Sequence, residues 1–266
     1  MYETVYHRPT SVEHALQLFG NAQDAKFLSG GQTLLPTMKQ RLAAPSDLID
    51  LRHIAALAKI GMAEGRLTIG AAVSHADVAA SADVRQAIPA LADLASHIGD
   101  PHVRHMGTLG GSVANNDPAA DYPAALLALE ATIHTSSRSL SAADFFTGMF
   151  DTALQDGELV TRVSFRIPRK AAYAKFANPA SRYAMAGVFV ARHNDDSIRV
   201  AVTGAGSDGV FRHEAFESAL SGNWSADAIS GIPVDEGRML SDIHGSAAYR
   251  ANLVKIMAKR AVEAAA

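Results

Sequence analysis

Cysteine is absent from all 266 residues of the chain. Disulfides, a thiolate nucleophile, a zinc site built on sulfur and an ordinary iron–sulfur cluster are thereby excluded from it. A basic surplus is missing too. Lys and Arg number 24 against 27 Asp and Glu, for a net charge of −3. Nucleic acid and anionic membrane surfaces are therefore not expected as main partners. No apolar run reaches the roughly 18 residues of a spanning helix, so no integral membrane segment is expected. The opening MYETVYHRPTS lacks the apolar centre of a signal peptide, and the expected compartment is the cytoplasm.

Hydrophobic residues make up 48% of the chain and charged residues 19%. That is an ordinary globular composition, long enough for two domains at roughly 100–200 residues each. Residues 1–54 read as a small β-α-β unit. Ser11 is the expected N-cap of a helix over 11–19, and Gly20 its expected stop. A strand at 25–28 leads through Ser29-Gly30-Gly31-Gln32-Thr33 into a second helix, and LIDL (48–51) is a buried strand. Two β-type runs then meet at Glu64-Gly65 as a hairpin. Residues 74–98 have helical spacing, with Pro89 separating two helices. Further helical spacing spans 121–129, and strands are expected at ATIHT and at ELVTRVSFRIP. Residues 55–167 form this second segment.

From residue 168 to 266 the pattern changes. AAYAKFA, MAGVFVARH and SIRVAVTGAG are three consecutive strand-like runs, followed by helices at 213–220 and 246–264. The expected class is α+β, ending in a three-stranded antiparallel sheet with helices. Met and Phe residues in 145–150 and 183–189 read as core filling.

Two glycine loops carry the chemistry. In Ser29 to Thr33, two glycines let the backbone turn sharply and come close to a ligand, before a helix whose first N–H groups are free. The second is Gly107-Thr108-Leu109-Gly110-Gly111-Ser112. It lacks the lysine of a triphosphate loop. Each alone is also explained as a plain tight turn. Two phosphate cradles in one chain point instead to a dinucleotide. Asp117 and Asp121 flank a helix start, where carboxylates can accept ribose hydroxyls or compensate the helix dipole. No clean metal-ligand pattern surrounds them. Gly204 to Gly209 matches G-x-G-x-x-G, yet no buried strand follows the next helix, so the parallel unit of a dinucleotide fold is missing. No nucleophile elbow is present.

FLSGGQTLLPTMKQRLAAPSDLIDL, DPHVRHMGTLGGSVANNDPAADYPA and GSAAYRANLVKIMAKRAVEAA, in this order along the chain, resemble the FAD-binding medium subunit of molybdenum hydroxylases, most of all the aerobic carbon monoxide dehydrogenase type. That resemblance implies two α/β FAD-binding subdomains of the vanillyl-alcohol-oxidase kind, over 1–54 and 55–167, and a C-terminal domain over 168–266. It implies that Ser29, Gly30, Gly31, Gln32 and Thr33 hold the FAD pyrophosphate, and that Thr108, Leu109, Gly110, Gly111 and Ser112 make the second phosphate and flavin contact. Asp121 would bind an adenosine hydroxyl, with Asp117 near the same loop. Lys175 and Tyr183 would approach the flavin, Tyr183 lying against its ring. Gln32 and His105 stand where many relatives carry His and Asn, and Ser112 where Asn or Ser is frequent. A backbone cradle tolerates such exchanges.

The resemblance further implies a molybdenum cofactor on a large partner subunit and [2Fe–2S] clusters on a small one, as a dimer of heterotrimers. Electrons would pass from the clusters to FAD here and on to NAD, a quinone or another acceptor. No residue need act as acid or base. The competing readings are a free-standing FAD-dependent oxidoreductase acting directly on a small substrate, and a structural subunit that has lost its cofactor.

Overall fold

A computed structural model describes residues 1–265. The chain begins with three parallel strands, Val5–His7, Ala25–Leu28 and Asp47–Asp50, the last lying between the other two. The half-exposed edge strand Val5–His7 has no apolar run to announce it. Helix Val12–Asn21 starts where Ser11 accepts a hydrogen bond from the His14 N–H. It runs past Gly20 and ends when Ala22 turns extended. Gly20 is therefore a helical residue, not the expected stop. Phe19 of this helix stacks on Phe27 of the sheet at 4.7 Å.

A five-stranded antiparallel sheet follows, in the order Ile60–Ala63, Arg66–Gly70, Val160–Arg166, Thr132–Thr135, Ser139–Ser141. Its first two strands meet at Glu64 and Gly65, with φ of +52° and +71°. That is the left-handed pair a two-residue hairpin demands. The segment 74–98 holds three helices where two were expected: His75–Ala80, Ala82–Ala87 and Pro89–Ser96. Ser81 is the extra break. It ends the first helix, and its side chain accepts from the Val84 N–H to begin the next. Two more short helices, Pro101–Met106 and Leu109–Asn115, occupy the glycine-rich stretch.

The last sheet is antiparallel and has four strands, not three: Lys170–Ala177, Ala184–Arg192, Ile198–Thr203 and the two-residue Phe211–Arg212. The turn at Gly204 to Gly209 leads into that fourth strand, so it is an antiparallel connection, as its missing partner strand required. Ala184–Ala191 is buried at every position. Helix Ala247–Ala264 covers one face of this strand, while Phe189 and Ala191 join the core of the middle segment. Burial on both faces explains a continuous apolar run without alternation. Phe145, Met185 and Phe189 fill the core as expected. Met149 and Phe150 do not. They lie exposed at the tip of hairpin Phe146–Gly148/Asp151–Thr152, where Asn116 donates to the carbonyls of Gly148 and Asp151 and accepts from the Phe150 N–H. Among the described residues no helix is long and apolar enough to cross a membrane.

Candidate functional site

The two glycine loops, some 80 residues apart in sequence, meet at one cavity of about 720 Å³. Strand Ala25–Leu28 delivers the first loop. Gly31 takes φ of +70°, a left-handed value that side chains resist. Its carbonyl accepts from Leu35 as helix Leu34–Lys39 begins. The second loop starts at Gly107. Thr108 caps helix Leu109–Asn115, its hydroxyl accepting from the Gly111 N–H at 3.1 Å. That hydroxyl lies 2.7 Å from the Ser29 hydroxyl, which joins the loops. Gly30 faces the second loop so closely that a Cβ would lie 2.6 Å from Gly107 Cα and nearer still to the Met106 carbonyl. Gly110 is pressed likewise on Ala71, whose Cα would be 2.8 Å from an added Cβ. Backbone therefore lines this part of the cavity.

Twelve of the fourteen residues picked out from sequence line the cavity: Ser29 to Thr33, Thr108, Gly110, Gly111, Ser112, Asp117, Asp121 and Tyr183. Leu109 does not. Its side chain is in the core and its N–H donates to the Val73 carbonyl. Lys175 is absent from the lining as well. Its ammonium binds the Asp121 carboxylate at 2.9 Å and donates to the His97 carbonyl at 3.1 Å. Asp121 is 3% exposed and also accepts from the Tyr173 hydroxyl at 2.5 Å. Burial pushes this carboxyl up, and the Lys175 charge and the Tyr173 hydroxyl pull it back. Asp121 thus serves the C-terminal sheet before it can serve a ligand. Asp117 accepts from the Ala119 N–H. Tyr183, 54% exposed, rises from the C-terminal sheet at the same cavity. Partial burial and the charges of Asp117 and Asp121 push its hydroxyl up.

His75 also lines the cavity and had no signal in the sequence beyond following a helix cap. Only 5% exposed, it packs on Gly107, and its Nδ1 has no partner. Burial, then the Arg104 charge, lowers it to about 4. It is neutral near neutral pH. Because the folded value lies below the unfolded one, its contribution to stability is present above about 6.5 and disappears as pH falls towards about 4. The shift corresponds to about 3 kcal/mol. Urea denaturation of the unliganded chain should show this loss on acidification, and the His75→Gln variant should lack it. An unchanged pH dependence in that variant would show that His75 accepts a proton freely in the folded chain.

The cavity offers backbone N–H groups, hydroxyls and apolar walls. Among the described residues no cluster of His, Cys, Asp or Glu could hold a metal ion. The volume lies within the roughly 300–1,000 Å³ of cofactor pockets. Two close-approach glycine loops at its floor fit a diphosphate-bridged group.

Residues 1–170 match the family model described as FAD binding domain in molybdopterin dehydrogenase. The nicotine 6-hydroxylase medium subunit of Paenarthrobacter nicotinovorans is 36% identical over 270 residues, covering 97% of this chain and 95% of that one. The carbon monoxide dehydrogenase medium chain of Hydrogenophaga pseudoflava is 33% identical, covering 98% and 96%. Among solved structures, reconstituted CO dehydrogenase from Oligotropha carboxidovorans superposes with a TM-score of 0.90 at 31% identity, covering 99% of this chain and 97% of that one.

Proposed function

Since the chain belongs to the family of FAD-binding domains of molybdopterin dehydrogenases, we propose that it is the flavin-carrying electron-transfer subunit of a larger molybdenum-containing hydroxylase. The observation that carries this is the meeting of the two glycine loops through Ser29 and Thr108 over one cavity. Ser29 to Thr33 would hold the FAD pyrophosphate through backbone N–H groups. The second loop, whose N–H groups from Leu109 to Ser112 are donated to Val73, Ala71 and Thr108, would make the second phosphate and flavin contact through the Thr108 and Ser112 hydroxyls and the bare Gly110–Gly111 surface. Gly30 keeps the loops close, and Gly110 seats the second loop on Ala71. Tyr183 would cover the flavin with an apolar face and a polar tip, limiting water. FAD, when bound, supplies the redox chemistry, taking up electrons and passing them to NAD, a quinone or another acceptor. The chain's own residues bind, orient and shield it. In this reading 1–54 and 55–167 carry one loop each, and the segment from 168 onward carries Tyr183.

A chain without cysteine has no ligands for an ordinary iron–sulfur cluster. The electrons would therefore arrive from clusters on a small partner subunit, and substrate would be oxidised at a molybdenum cofactor on a large one. A dimer of such heterotrimers in the cytoplasm is the assembly this reading carries. Purification of the native complex should yield a flavin spectrum, release of FAD on denaturation, and a cysteine-rich small subunit beside a large one. A colourless complex that takes up no FAD would sink the proposal. A yellow chain that oxidises a small substrate without partners would instead establish a free-standing oxidoreductase.

A further inference from the structure

A second cavity of about 220 Å³ lies behind the wall of the first. Gly99 borders both, and the wall is the buried group of Asp121, Tyr173 and Lys175. Its other charged or titratable lining residues are His97, Arg104 and Arg182. No carboxylate lines it. Asp121 is committed to Lys175, and Asp93 lies 3.7 Å from the His97 ring on the exposed side. Arg104 donates to the carbonyls of Ile98 and Gly99, at 3.0 Å each, and neither it nor Arg182 has an ion-pair partner among the described residues.

Arg182 is held at the cavity by a rigid turn. Asn178 accepts through its side chain from Ala180 and Ser181, and through its carbonyl from the Arg182 N–H at 2.8 Å. Arg182 itself takes φ of +62°, a strained value for a residue with a side chain. The next residue, Tyr183, faces the larger cavity. One turn therefore sends adjacent side chains to the two sides of the wall.

We propose that this second cavity binds an oxyanion, a phosphate or a carboxylate, through Arg104 and Arg182 with Lys175 at its back. Two guanidinium groups without carboxylate partners border this concave site, and such groups match the planar oxygen pairs of an oxyanion and add their fields there. The volume is below the usual range for whole ligands, so the site suits a headgroup and not an entire nucleotide. An anion held there would compete with Asp121 for the Lys175 ammonium, which links its occupancy to the larger cavity. The site stands on these side chains alone, so in a preparation without FAD the Arg182 variant separates it from the larger cavity.

Isothermal titration of the purified complex at low salt would use inorganic phosphate and, separately, ADP. Saturable single-site binding that sulfate competes away is expected. ADP binding more tightly than phosphate, and weakened by Arg182→Gln, would assign the anion to the terminal phosphate of a nucleotide whose remainder lies outside the site, and equal affinities would assign it to a free anion. Arg182→Gln is exposed and should fold normally, with its FAD content unchanged and anion binding weakened by roughly tenfold. Arg104→Gln should weaken binding as well, but it also loosens the Ile98–Gly99 turn, so Arg182→Gln decides. Absence of heat with both probes, or affinity in Arg182→Gln equal to that of the native protein, would overturn the assignment.

Discussion

Gly30→Val should leave a chain that folds but retains no FAD. A Cβ at this position would lie 2.6 Å from Gly107 Cα, with the Met106 carbonyl carbon at 2.9 Å and its oxygen closer still. These are backbone atoms, so no flexible side chain can swing aside. Relief requires the first loop to part from the second. The 2.7 Å contact between the Ser29 and Thr108 hydroxyls is then broken, and the N–H groups of the first loop no longer face the second loop across one ligand. The affinity for FAD should fall by about 100-fold or more, equivalent to about 2.7 kcal/mol. Gly20→Ala is the control, because nothing lies within 4 Å of its added Cβ. As a helical residue it should gain roughly 0.5–1 kcal/mol without touching flavin content. Flavin-to-protein ratios and titration of the stripped chains with FAD, read beside circular dichroism, separate lost binding from lost folding. An affinity for FAD in Gly30→Val within about threefold of the native chain would show that the loops do not act as a pair.

The glycines were legible because the need for them is local. A left-handed residue at Gly31 and a strand-to-helix turn are written into five consecutive positions. That the loops face each other was not local, and neither was the reason for Gly30 and Gly110. Both are small because backbone from another part of the chain presses on them. Lys175 and Tyr183 show the limit of spacing. Eight residues apart, they were expected to approach one ring together. A turn at 178–183 separates them, leaving Lys175 on Asp121 behind the wall and Tyr183 at the cavity. Phe150 shows the limit of hydropathy. It reads as core, yet a φ of +55° and the hydrogen bonds of Asn116 hold the hairpin tip outward. The strands missed or undercounted, Val5–His7, Ser139–Ser141, Phe211–Arg212 and the pair Phe146–Gly148 and Asp151–Thr152, are edge strands of two or three residues. Such short segments carry too few side chains to show a period.

The same wall gives the largest expected loss of stability. Lys175 and Asp121 have side chains 6% and 3% exposed. Asp121 begins helix Tyr122–Ala128, and Lys175 sits on strand Lys170–Ala177. Their contact therefore fastens the C-terminal sheet to the segment that carries the second glycine loop. Asp121→Asn should keep the shape and remove the charge. It leaves an ammonium buried against neutral groups, a change that costs about 3–5 kcal/mol. For a chain of this size that is a fall of roughly 6–20 °C in melting temperature. Lys175→Met should be costly too, because a buried carboxylate then keeps only the Tyr173 hydroxyl and must take up a proton. The double variant Asp121→Asn, Lys175→Met removes both charges, and it should recover more than half of either single loss. This recovery distinguishes a buried pair from a mere packing defect. If the two losses simply add, the pair is screened by water and the wall is held by Tyr173 and its apolar neighbours. If they cancel, the charge that sequence reasoning assigned to a ribose is what joins the two halves around the cavity. FAD would then be lost from Asp121→Asn through the loosened joint, and the double variant would hold it again.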